Sequence, residues 1–142
     1  MPAKAQAEWK GDLRSGSGTF SAGDGGISGD FSYKSRFEDG PGANPEQLIG
    51  AAHASCFSMA LSAALGEAGH PADSVRTDAT VTLRIVDGAP TITKIELVTV
   101  GRVPGIDQAA FEQAADGAKA GCPVSKALAG VPEVTLSATL EA

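Results

Sequence analysis

Between Glu46 and Glu67 no side chain carries a charge at neutral pH, and His53 is the only imidazole in that run. The stretch opens on agreeing signals for a helix start. Asn44 is a preferred N-cap, Pro45 sits where its missing N–H costs nothing, and Gln47 is spaced to reach back as in a capping box. Glu46 suits the positive end of a helix. Gly69 and Pro71 supply the stop, so the spacing predicts one helix over 45–68. A helix without a charged face is expected to be buried on all sides. The remainder of the 142-residue chain must therefore be arranged around it. Leu48 to Leu65 is 18 residues long and has to be weighed as a membrane span. Its Ala, Ser and Gly content, with His53 inside, gives weak transfer to lipid, and a core helix is the reading.

The flanking segments read as strands and turns. Ala5, Ala7 and Trp9 alternate with Gln6, Glu8 and Lys10. Thr19–Ser21 and Asp30–Tyr33 are short strand candidates among glycines, giving a small antiparallel meander, with a flexible arm as the alternative. Ala79, Val81, Leu83 and Ile85 alternate with polar residues, and Asp87-Gly88-Ala89-Pro90 turns into a second strand over 91–103. The phase of Ile92 does not match that of Ile95, which places a bulge near Thr93. Asp107 caps a further helix with Phe111, Ala114, Ala115 and Ala118 at core spacing, ending at Gly121. Cys122 precedes Pro123 as an N-cap-like residue of a short helix through Leu128, and Val134 to Leu140 alternates as the last strand. No repeat or linker divides the chain, so the expectation is one α+β domain over 1–142.

The balance of charge narrows the partners. With a net charge of −6, 42% hydrophobic and 20% charged residues, the chain is not built to hold nucleic acid or an anionic membrane surface. Lys4, Glu8 and Lys10 break any secretory leader, and a cytoplasmic location is expected. Two cysteines in that setting read as thiols or redox partners. Cys56 and Cys122 lie 66 positions apart, too far for a C-x-x-C motif, and from spacing alone they are equally small buried hydrophobes. Cys56, Cys122, His53 and His70 lack the spacing of a usual zinc site. His53 reads as a core histidine that packs or binds a carbonyl.

Arg36-Phe37-Glu38, the run from Gly42 to Leu61, Val103–Asp107 and Ala118–Ser125 together resemble the OsmC/Ohr family of organic hydroperoxide peroxidases. Trp9-Lys10-Gly11-Asp12-Leu13 also fits the family's opening strand. Leu48-Ile49-Gly50-Ala51-Ala52-His53 is similar to the OsmC (osmotically inducible protein C) branch. The resemblance implies an OsmC-like fold of curved antiparallel sheets around a long buried central helix, in an intertwined homodimer with two active sites at the interface. It implies a cysteine-based peroxidase acting on organic hydroperoxides, with hydrogen peroxide used less well, no metal or other cofactor, and a dithiol reductant of the lipoyl type. Cys56 matches the peroxidatic cysteine, Cys122 the resolving cysteine, and Arg36 with Glu46 the charged pair.

Those roles suit the residues. An ordinary thiol is mostly protonated at neutral pH, and a mid-helix Cys56 needs a cation to become a thiolate. Arg36 stays charged and can also hydrogen-bond a peroxide oxygen, while Glu46 would hold it by a two-point contact. Phe37, Phe57 and Met59 would suit an alkyl hydroperoxide. Position alone instead favours Cys122 for a lowered pKa, at a helix N-terminus. Glu46 and Cys56 are ten residues apart, about 15 Å along one helix. Each site is thus expected to take Arg36 and Glu46 from one subunit and both cysteines from the other. A redox sensor or an apolar-ligand binding protein using the same pocket is the alternative.

Overall fold

Period-two patterning and glycine turns lay the first 31 residues out as a three-stranded antiparallel meander: β1 (Ala5–Lys10), β2 (Ser17–Ala22) and β3 (Ile27–Phe31). The computed structural model describes residues 1–141. It falls into two units, Met1–Leu48 and Ile49–Ala142. In the first, the Phe31 ring lies across β2 within reach of Trp9, centroids 5.5 Å apart, and of Phe20, at 6.3 Å. A strand over 30–33 is not what forms. The Ser32 hydroxyl accepts from the Ser35 N–H at 3.1 Å and the Ser35 hydroxyl accepts from the Ser32 N–H at 2.9 Å. This capping box turns the chain into a short helix, α1 (Tyr33–Phe37), which the residue pattern did not announce.

The long helix α2 spans Pro45–Glu67, begun as expected by Asn44. The Asn44 Oδ1 accepts from the Gln47 N–H at 2.9 Å and the Gln47 Oε1 from the Asn44 N–H at 3.1 Å. Gly69, at φ +87°, supplies the left-handed residue after the helix, with His70 N–H donating to the Leu65 carbonyl at 2.8 Å. Burial departs from the expectation. Gly50, His53, Phe57, Leu61 and Leu65 form one buried stripe, whereas Ala51, Ala52, Ser55, Met59, Ser62 and Ala63 are exposed. Only 28% of an 18-residue window of this helix is buried within the chain. By length and hydropathy it is also the one helix among the described residues able to cross a membrane.

In the second unit β4 (Ser74–Val86) and β5 (Ala89–Arg102) form a long hairpin, turned at Asp87 and Gly88, both at positive φ. Pro90 lies inside β5 opposite Ile85. The register passes from Thr82 opposite Lys94 to Leu83 opposite Ile92, so Thr93 is the extra residue of a bulge, as the phase of Ile92 requires. α3 (Gln108–Gly121) is capped by Asp107, α4 (Pro123–Ala127) follows, and β6 (Glu133–Leu140) closes the sheet in the order β4-β5-β6. β6 runs parallel to β5 rather than antiparallel, because α3 and α4 carry the chain back across the sheet. The Gln108 amide fastens α3 to that edge, accepting from Leu140 N–H at 2.7 Å and donating to the Ala138 carbonyl at 2.8 Å.

The core of this unit joins Phe57, Leu61 and Leu65 of α2 to Ile95 and Leu97 of β5 and to Phe111, Ala115 and Ala118 of α3. Each large side chain there contributes about 1.5–3 kcal/mol by its burial. Phe111 lies so close to β5 that a Cβ on Gly101 would meet its Cε1 at 2.4 Å, so no larger residue fits that strand position. The result is a mixed α+β fold.

Candidate active site

The charged pair is assembled by the turn between α1 and α2. Ser35 Oγ donates to the Ala43 carbonyl at 2.7 Å, and Asn44 Nδ2 donates to the Ser35 carbonyl at 3.0 Å. These bonds hold Arg36 of α1 over the first turn of α2. Its Nη2 donates to Glu46 Oε1 at 2.7 Å, and its Nε lies 3.2 Å from each Glu46 oxygen. The Glu46 side chain is 8% exposed and that of Arg36 is 36% exposed. A buried carboxylate is thus satisfied by a guanidinium that still presents surface. Removing Arg36 would strand Glu46 at a cost of about 1–3 kcal/mol. Beside the pair, the guanidinium sits 5.5 Å from the centre of the half-buried Phe37 ring.

The two thiols meet in the second unit. Cys56 projects from the middle of α2, half-buried, and Cys122 caps α4 while fully buried; both are free. Though 66 positions apart in sequence, they lie close enough for each to shift the other's ionisation. The Cys122 sulfur accepts from the Ser125 N–H at 3.3 Å, with the Ser125 hydroxyl also at 3.3 Å. As a thiol it donates to that hydroxyl; as a thiolate it accepts from it. Burial pushes the Cys122 pKa up, but the Ser125 hydroxyl and N–H, the Cys56 thiol and the Val124 N–H outweigh it, and the group ends below the ordinary value. Burial also raises Cys56, and there the opposing Val124 N–H is not enough, since Cys122 adds to the rise. The direction agrees with the expectation from its helix-start position, but the causes are hydrogen bonds from Ser125, Cys56 and Val124.

His53, one turn before Cys56 on α2, is fully buried and its Nε2 lies 2.8 Å from Ser125 Oγ. It is thus a packed core histidine, as expected, and its polar partner is a hydroxyl rather than a carbonyl. Burial lowers its pKa, and its Nδ1 has no hydrogen-bond partner among the described residues. Ser125 was legible only as the third residue after a helix cap, and its contact to His53 depends on a helix crossing that spacing does not encode. Of the three apolar candidates, Phe57 is 0% exposed and packs in the core cluster. Its position next to Cys56 turns it about 100° away around the helix. Met59 is 74% exposed. Among the described residues no three His, Cys, Asp or Glu side chains gather as metal ligands.

The sequence model for the family described as OsmC-like protein matches residues 38–137. The chain is 49% identical over 139 residues to Peroxiredoxin OsmC of Escherichia coli, covering 97% of this chain and 96% of that one. It is 37% identical over 100 residues to the organic hydroperoxide resistance protein of Xanthomonas axonopodis pv. citri, covering 69% and 68%. Among solved structures it superposes on the organic hydroperoxide resistance protein OhrB of Bacillus subtilis with TM-score 0.73 at 26% identity, covering 97% and 98%. Family match and identity over nearly the whole length agree with the motifs around both cysteines: the chain belongs to the OsmC-like protein family.

Proposed function

We propose that the protein is a thiol peroxidase that reduces organic hydroperoxides to alcohols, in line with the names of its relatives. The observation that carries this reading is the proximity of two free thiols from distant parts of the chain, one half-buried, the other fully buried, each shifting the other's ionisation. The Cys56 thiolate attacks the terminal peroxide oxygen; the O–O bond breaks, an alcohol leaves, and Cys56 becomes a sulfenic acid. Cys122 sulfur then attacks Cys56 sulfur, water departs, and a disulfide forms between the two neighbouring cysteines. A dithiol of the lipoyl type returns both thiols by exchange.

Within one chain Cys56 is pushed up, so the reading requires a cation from elsewhere. The pair of Arg36 and Glu46 from a second copy supplies it, with Phe37 and Met59 offering apolar contact to the alkyl group. A second copy is also what the charge-free face of α2 calls for, since Ala51, Ala52, Ser55, Met59, Ser62 and Ala63 are otherwise exposed. On this reading residues 1–142 act as one catalytic domain, the sites lie at the homodimer interface, and the free thiols work in the cytoplasm.

The test is consumption of cumene hydroperoxide with a dithiol. Cys56→Ser is expected to be inactive, while Cys122→Ser forms a sulfenic acid once and then stalls. Wild type that binds the peroxide without consuming it would support a sensor or binding protein in its place.

A further inference from the structure

The resolving thiol is in an awkward place for chemistry: Cys122 is 0% exposed, so bulk water cannot take its proton. An ordinary thiol is mostly protonated at neutral pH, and a protonated thiol is a poor nucleophile. One internal base is connected to it. Cys122 Sγ lies 3.3 Å from Ser125 Oγ, and Ser125 Oγ lies 2.8 Å from His53 Nε2. The imidazole is itself fully buried, and its other nitrogen has no partner among the described residues. A buried, half-satisfied histidine is costly to keep, and packing alone would be served better by an apolar residue.

We propose that His53, acting through the Ser125 hydroxyl, takes the proton of Cys122 as that sulfur attacks the Cys56 sulfenic acid. The inference rests on the peroxidase reading above. The step balances as follows. The Cys122 S–H proton passes to Ser125 Oγ, whose own proton passes to His53 Nε2. The freed electron pair on Cys122 forms the S–S bond, and the Cys56 S–O bond breaks. The departing hydroxide takes a proton from solvent at the half-exposed Cys56, and the imidazolium afterwards releases its own proton to solvent by way of the half-exposed Ser125 hydroxyl. One water is made and no net proton is consumed. Burial keeps His53 neutral, and so an empty acceptor, at the start of the step. Its environment adds no competing charge. β4 meets α2 through Thr77, Ala79 and Val81, with Arg76 and Asp78 on the opposite, exposed face. On α4 Lys126 is exposed, on α3 Asp116 is exposed and Lys119 half-buried, and β5 turns Ile95, Leu97 and Thr99 inward. The other titratable groups of the cluster are Cys56 and Cys122 themselves. His53 is thus a positioning and proton-accepting residue, while Ser125 touches the reacting sulfur.

Reduced protein is mixed with one equivalent of cumene hydroperoxide, and sulfenic acid and disulfide are followed from pH 6 to 9.5 by quench and mass spectrometry. In His53→Gln the sulfenic acid is expected to accumulate at pH 7, with disulfide formation slowed about 100-fold. The deficit should shrink as pH rises and hydroxide ionises the thiol directly. Ser125→Ala breaks the same relay from its half-exposed end and should show the same pH-dependent delay, so a poorly folded His53→Gln leaves the test standing. Disulfide formation at the wild-type rate at pH 7, or a slowing equal at every pH, would overturn the relay and leave a structural bond. Wild type that leaves the peroxide untouched is a different failure, that of the peroxidase reading, and the relay falls with it.

Discussion

The two units of the chain differ in what they bury. Residues 49–142 enclose Phe57, Leu61, Leu65, Ile95, Leu97 and Phe111 in one apolar cluster. Residues 1–48 bury no apolar side chain completely; the side chains they do bury are the polar Ser35 and the charged Glu46. Their chemistry divides the same way. The first unit holds an arginine locked by a carboxylate and has no thiol; the second holds two thiols that only each other and neutral N–H and O–H groups influence. On the proposed reading these are two half-sites, and a second copy of the chain would cover apolar surface and bring Arg36 to Cys56.

The division can be broken most severely on the open face of α2. Ala52 is exposed there, and Ala52→Glu puts a charge on a surface otherwise free of it. If that face is covered by a second copy, sedimentation should show a monomer and peroxide consumption should vanish; an active monomer would refute the shared site. A smaller effect is expected from Arg36→Met, which removes the cation while leaving both thiols in place. Turnover should fall about 100-fold, the size of losing one preorganised charge at a reacting centre. The pH dependence of Cys56 alkylation should move with it. Without Arg36, Cys56 should titrate above the ordinary thiol value, as burial and Cys122 dictate, and the wild-type dimer should keep its thiolate to lower pH. The mildest change is Met59→Ala, which trims an exposed apolar side chain. Removing contact with an alkyl chain should raise KM for bulky hydroperoxides severalfold, equivalent to about 1 kcal/mol, and leave hydrogen peroxide unaffected.

Legibility in the sequence followed polarity contrast. α3 could be oriented from its letters, because Phe111, Ala115 and Ala118 face inward while Glu112, Asp116 and Gln113 do not. α2 could be bounded to within a residue at its end but not oriented: Ala, Ser and Gly lie on both of its faces, so nothing in the residues separates the buried stripe from the open one. The bulge at Thr93 was readable because a two-residue period records its own interruption. The parallel pairing of β6 was not, since strand direction depends on a crossover whose path leaves no local mark. At the site, Cys56, Cys122, Arg36 and Glu46 could be singled out from their motifs. The contact from His53 to Ser125 required the packing of α4 against α2, whereas Ser125 meets Cys122 locally, three residues along the chain. The burial of Phe57 in the core was not legible either, since its neighbours on α2 are apolar or small on every side.

The central claim is that each site draws its charged pair and its thiols from different subunits, and mixing subunits tests it most directly. Arg36→Met and Cys56→Ser chains are each expected to be inactive alone. Unfolded together and refolded at equal amounts, they should form mixed dimers with one intact site, restoring about a quarter of the wild-type activity. No recovery, with mixed dimers shown to be present, would mean that Arg36 and Cys56 must belong to the same chain.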